Sequence, residues 1–199
     1  MVQSYLTGIA VCAAIIVAIG AQNAFVLAQG LRRSHHLTVA LLCALCDAVL
    51  FGLGLAGVAK AIAALPELQL ALRVGGGLVL LAYAGASAWR AWQGSGRLQR
   101  SDGTQASAGV VIAACLGVTL LNPQVYLDTF VLIPMIGLEQ VSPLWFWAGA
   151  TSASLMWFLL LSLGAAALAP KLEGPRAWQW IDGSFAFVMG VIGVDLLLG

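Results

Sequence analysis

Long apolar runs decide what this chain can fold into. Six stretches of roughly 20 or more mostly apolar residues follow one another, at about 5–28, 37–59, 68–92, 108–135, 143–169 and 177–198. A helix needs about 20 such residues to cross the hydrocarbon core of a bilayer. Hydrophobic residues make up 61% of the 199 positions and charged residues 9%, against about 25% charged in soluble domains. A water-soluble fold of this size could not hide that much apolar surface. The expectation is therefore an all-α membrane protein of about six transmembrane helices. A β-barrel is disfavoured, because the apolar runs are continuous and barrel strands alternate in segments of about 10 residues. Residues 1–5 lack the positive region of a cleavable leader, and the first apolar run is too long for one, so it is read as the first span.

The longest polar stretch, 93–107, reads QGSGRLQRSDGTQAS. It divides one transmembrane domain, 1–199, into halves of three spans each, 1–92 and 108–199. Three is odd, so the two halves enter the membrane in opposite senses, as inverted-repeat transporters do. One local echo joins them. Gln22-Asn23 lies late in span 1, and Asn122-Pro123 lies in the middle of span 4.

The loops after spans 1, 3 and 5 hold or border Arg32, Arg33, Arg90, Arg97, Arg100, Lys171 and Arg176, and the other side has Lys60 and Arg73. Lys and Arg favour the cytoplasmic side, so both termini are expected to be periplasmic. His35 and His36 fall in the expected loop 29–36 and read as interfacial. Trp145, Trp147, Trp178 and Trp180 read as headgroup anchors. The net charge of +1 comes with no basic patch, so nothing points to nucleic acid.

Two carboxylates stand where lipid would penalise them. Asp47 is near the centre of span 2 and Asp128 is in span 4. A buried Asp costs about 2.5–3.5 kcal/mol on insertion scales and usually faces a partner or a watery cavity. Arg73 is the candidate charge partner in a purely structural reading. The alternative is a cationic substrate or a proton, which can compete for one buried carboxylate. Asp182 and Asp195 sit nearer span ends and are expected at the headgroups. Pro123 removes a helix hydrogen bond and frees carbonyls, so Asn122-Pro123 is a candidate helix break. Gly20, with Gln22 and Asn23, is a second one. Small residues four apart in span 5, Gly149 with Ala153 and Ala150 with Ser154, suit close helix packing. All four cysteines lie in apolar runs. Cys43-x-x-Cys46 could be a thiol redox pair or a soft-metal site, but core packing is favoured. No nucleophile–base pair, metal cluster or cofactor motif is expected.

The segments GAQNAFVLAQGLRR (20–33), LLCALCDAVLF (41–51), TLLNPQVYLDTFV (119–131) and SLMWFLLLSLGAAALAPKL (154–172) resemble the basic amino-acid exporter family of the LysE/ArgO type. The resemblance runs along nearly the whole chain. It implies a bacterial inner-membrane secondary exporter of L-lysine or L-arginine, driven by an ion gradient, with a proton or other ion as coupling partner. A homodimer is compatible with it. By matching motif, it implies site roles for Gln22, Asn23, Asp47, Asn122, Pro123, Tyr126 and Asp128. Ala21 stands where the family usually has Pro, Gln124 where His or Asn is common, and Leu120 where Trp is frequent. The rival functions are export of neutral amino acids or metal cations, and thiol oxidoreduction through Cys43 and Cys46.

The charge bias generates a labelling prediction. A cysteine placed at Ser101 should resist an impermeant thiol reagent in intact cells and react in inverted vesicles. The reverse pattern would invert the topology.

Overall fold

The computed structural model describes residues 1–17, 20–57, 66–92, 107–122, 125–126, 128–171 and 175–198. Every regular element among them is helical. These are α1 (Val2–Ile16), α2 (Ala21–Arg32), α3 (His36–Leu55), α4 (Pro66–Trp92) and α5 (Ala108–Leu120). A π-helical segment (Asp128–Leu132), the short α6 (Ile133–Gly137), α7 (Pro143–Leu168), a 3-10 turn (Ala169–Lys171) and α8 (Pro175–Leu198) follow.

Local chemistry explains the ends. Proline opens α4, α7 and α8, where its missing N–H costs nothing and its fixed φ suits the first turn. Ser107 caps α5, its hydroxyl accepting from the Val110 N–H. Arg33 ends α2 in the left-handed region (φ 52°) with its N–H bonded back to Gln29 and Gly30, and the Ser34 N–H also reaches the Gln29 carbonyl. His35, at φ 47°, is left-handed as well. Two non-glycine residues in this region make a strained turn between α2 and α3.

The expected first span, with its candidate break at Gly20, is two helices. The axes of α1 and α2 differ by 82°. By length and composition, α3 and α7 can each cross a membrane, and α1 with α2 can form a third, bent crossing. Gly77–Trp89, Ala108–Leu120 and Asp128–Gly137 are shorter apolar helical stretches. The chain is thus an all-helical membrane protein. The loop expected at 29–36 shrinks to a turn, since α2 runs to Arg32 and α3 begins at His36.

The sides of α3 show how it meets its surroundings. Leu37, Leu41, Leu45, Val49 and Leu53 are exposed and spaced four apart, so they line one face. Val39, Ala40, Cys43, Ala44, Asp47 and Leu50 are buried. An apolar stripe turned outward and a polar residue turned inward are what a bilayer solvent requires.

Helices in lipid gain little from the hydrophobic effect on meeting one another, so close backbone approach matters more. The α1–α7 crossing is built on glycine. A Cβ at Gly8 would lie 2.1 Å from the Phe146 carbonyl oxygen, and one at Gly149 would lie 2.0 Å from that of Tyr5. Gly149 therefore does what its place in the small-residue pattern of span 5 suggests. The same helix also takes α2 and α3, while α4 packs chiefly on α8. The π segment and α6 pack on α3. Around α2 the main core gathers Phe25, Val26, Val39, Leu80, Phe158 and Met189.

Gly149→Ala should cost about 1–3 kcal/mol through overpacking. It should lower the unfolding midpoint in detergent by several degrees. Gly85→Ala, whose added Cβ meets nothing within 4 Å, should leave the midpoint in place. Equal behaviour of the two variants would deny the close crossing.

Candidate functional site

Polar side chains converge where α1 gives way to α2 and where α5 gives way to the π segment. Asp47, on α3, is 4% exposed and accepts a hydrogen bond from the Ser154 hydroxyl of α7 (Oγ to Oδ2, 2.7 Å). Ser154 is itself fully buried. Asn23, in the first turn of α2, donates from Nδ2 to the Ile16 carbonyl at 2.6 Å. Its Oδ1 accepts from the Trp157 indole at 3.0 Å. The amide thereby serves a carbonyl that α1 leaves unpaired at its end, and α7 holds the amide in place. Gly20 is the N-cap of α2.

Two small cavities adjoin at these breaks. One, of about 50 Å³, is lined by Gln22, Asp47, Asp128 and Thr129 among apolar neighbours such as Cys12 and Ile133. The other, of about 60 Å³, is lined by Gly20, Gln22, Asn23, Asn122 and Asp128 with Ile16. Gln22 and Asp128 border both. No described Lys, Arg or His side chain lines either cavity. At roughly 10–15 Å³ per water centre, each holds a handful of waters. An amino acid would need the helices to part.

Six of the residues singled out in the sequence therefore share this region: Gly20, Gln22, Asn23, Asp47, Asn122 and Asp128. Tyr126 does not line the cavities. Its hydroxyl donates to the Leu120 carbonyl at the end of α5, and its ring packs on Phe130 with centroids 5.6 Å apart. Pro123 lies outside the described residues, as does the side chain of Arg73. Asp128 opens the π segment, a geometry frequent at functional sites because it disturbs the regular ladder.

Other residues gain partners that the sequence does not reveal. Asp182 is 8% exposed and forms an ion pair with Arg32 at the end of α2. The His36 Nδ1 lies 2.8 Å from the Ser162 hydroxyl of α7. Trp147 is more than an anchor, since its indole donates to the Ala48 carbonyl at 2.8 Å. Cys43 faces Cys115 of α5, with sulfurs 3.5 Å apart, and all four cysteines are free. Ser154 and Trp157 were legible only as a small and an aromatic residue in an apolar helix. Nothing in their spacing marks them as partners of Asp47 and Asn23.

Apolar helices enclosing an anionic cavity at two helix breaks define a membrane translocator. The chain belongs to the LysE type translocator family, whose model matches residues 13–199. It is 44% identical over 202 residues to the "Putative amino-acid transporter YggA" of Aeromonas salmonicida, with 100% of this chain and 98% of that protein covered. It is 43% identical over 183 residues to the "Putative amino-acid transporter Mb0498" of Mycobacterium bovis, covering 92% of this chain and 90% of that protein. No solved structure matches the chain.

The Trp157–Asn23 bond can be tested without any substrate. Trp157→Phe keeps the ring bulk and removes the donor. At about 1 kcal/mol for the bond, hydrogen exchange in residues 21–24 should rise roughly fivefold. Unchanged exchange would make the bond incidental to the break.

Proposed function

We propose that the protein is a secondary exporter of basic amino acids, chiefly L-lysine or L-arginine, from the bacterial cytoplasm across the inner membrane. One observation carries the reading. Asp47 and Asp128, from different halves of the chain, line one cavity that no described cationic side chain shares. Two carboxylates without a built-in cation favour a cationic cargo. The names of the relatives support amino-acid cargo.

In this reading Asp128 is the counter-charge for the substrate's side chain. Asp47 carries the coupling proton, exchanging it against the cargo. Gln22, Asn23 and Asn122 hold the amino and carboxylate end, together with backbone groups freed at the breaks. Tyr126 stands back from the cargo and satisfies a released carbonyl instead. Pro123 acts as a hinge in span 4, and Arg73 meets the substrate carboxylate or restrains Asp47. The six-span, inverted arrangement belongs to the same proposal, with both termini in the periplasm. Its support is the exchange of partners between the halves. The broken first span packs on α7, and the π segment and α6 pack on α3.

The test is counterflow of labelled lysine, arginine and a panel of neutral amino acids in proteoliposomes. Asp128→Asn should raise the substrate concentration for half-maximal rate at least tenfold, a cost of about 1.4 kcal/mol. Asp47→Asn should abolish gradient-driven export yet spare exchange of substrate for substrate. Robust lysine or arginine export by the double Asn variant would end the reading.

A further inference from the structure

The far end of α2 is tied down in a way that the binding role of its first turn does not require. Arg32 forms its ion pair with Asp182 of α8. Next to it, the Arg33 Nε donates to the Ala166 carbonyl of α7 at 2.9 Å. That carbonyl is one of the last four of α7, which lack helix partners. The Ser162 hydroxyl donates to the His36 carbonyl at 3.1 Å, where α3 begins. Gly30 lets α2 lie against the Ser162 backbone, where a Cβ would come within 2.8 Å of the carbonyl oxygen. Two polar ties and one close contact thus fasten the end of α2, and a third tie fastens the start of α3 beside it.

The rest of α2 has the properties of a plug. Its first turn borders the cavity through Gln22 and Asn23, and its last residue lies about 15 Å further along at 1.5 Å per residue. Between them Ala24, Phe25, Val26 and Ala28 are all at most 4% exposed. At the cavity end Gly20 is extended, and a Cβ there would meet nothing within 4 Å. So a short helix fills the space between the cavity and one membrane face, with room at its root and fasteners at its tip.

We propose that α2 is a gate arm pivoting near Gly20, and that the Arg32–Asp182 ion pair is the latch that closes the face on which α2 ends. The charge bias puts this face in the cytoplasm. The inference rests on the transport reading, in that the cavity must open to one side at a time. It adds two residues outside the cavity, Arg32 and Asp182, that set how often it opens. The Arg32 guanidinium is held by a carboxylate on a different helix, α8. Breaking the pair frees α2 from α8, after which Arg33 and the Ser162 contacts remain as weaker restraints. The strained turn at Arg33 and His35 favours release once the pair is open.

The native Cys12 lines the cavity and can report opening. With Cys43, Cys46 and Cys115 changed to Ala, an impermeant maleimide is applied to each membrane face in turn, with no substrate present. A closed transporter holds a minor open state of about 0.1–10%, which leaves room for a roughly tenfold rise in labelling. Arg32→Ala and Asp182→Asn should each give that rise, and only from the face of the α2–α3 turn. The charge-reversed double variant, Arg32→Asp with Asp182→Arg, should return to the starting rate. The proposal is overturned by unchanged labelling in folded single variants, by an equal rise from both faces, or by a double variant that stays open. If the single variants fail to insert, Arg32→Cys with Asp182→Cys decides. Cross-linking this pair must stop counterflow of whichever amino acid the unmodified protein exchanges, and reduction must restore it. Persistent counterflow through the cross-link overturns the latch. Labelling needs no cargo, so a wrong substrate class and a wrong gate give different results.

Discussion

A backbone in lipid cannot leave its carbonyls and amides to water, and the whole arrangement follows from that constraint. Each place where a helix stops inside the apolar layer exposes carbonyls that need donors. The protein provides them from side chains. Asn23 serves Ile16 at the end of α1, and Tyr126 serves Leu120 at the end of α5. Arg33 serves Ala166 near the end of α7. Trp147 reaches the Ala48 carbonyl within α3, where no helix end needs repair. A broken helix is thus stable here because a polar side chain has been placed to repair it. Of these side chains, Asn23 also lines the cavity beside its break.

How much of this the sequence disclosed depends on the kind of signal each residue carries. Asp47 and Asp128 announce themselves, because a carboxylate in an apolar run has no cheap explanation. Gln22-Asn23 and Asn122 stand out for the same reason. The order and approximate limits of the apolar segments were legible, since α3, α4, α7 and α8 fall within a few residues of the expected spans. The break after α1 was marked by Gly20 beside Gln22-Asn23, but its sharpness was not, because Ala21 stands where a proline would have advertised it. Partners were the least legible of all. Asp182 lies 150 positions from Arg32, and each is an ordinary span-end residue when read alone. Ser154 belonged to a small-residue pattern, and its hydroxyl was invisible until Asp47 was placed beside it.

One helix, α7, meets each of the first three. Along α7, Gly149 admits α1, Ser154 meets Asp47, Trp157 meets Asn23, and Ser162 meets His36. At about 100° per residue these positions spread over somewhat more than half of the helix circumference, so α7 meets α1, α2 and α3 around its sides. Ser154, Trp157 and Ser162 are neutral groups that hold their partners by hydrogen bonds. Such bonds are worth about 0.5–1.5 kcal/mol, enough to orient a side chain and weak enough to exchange for another partner.

That choice of neutral partners bears directly on Asp47. A buried carboxylate can be made tolerable by an arginine or by a hydroxyl, and the two have opposite consequences. An arginine would cancel the charge and close the site to any further cation. It would also cost several kcal/mol to remove, because one buried ion would be stranded. A serine hydroxyl fixes the carboxylate's position through a short hydrogen bond to one oxygen and cancels no charge. It can also stay bonded when the other oxygen binds a proton or a cation. Ser154 takes Oδ2 of Asp47 in this way, with Gln22 close to the same carboxyl group. Among the described residues, Arg32 pairs with Asp182 at the far end of α2, away from the cavity that Asp47 lines.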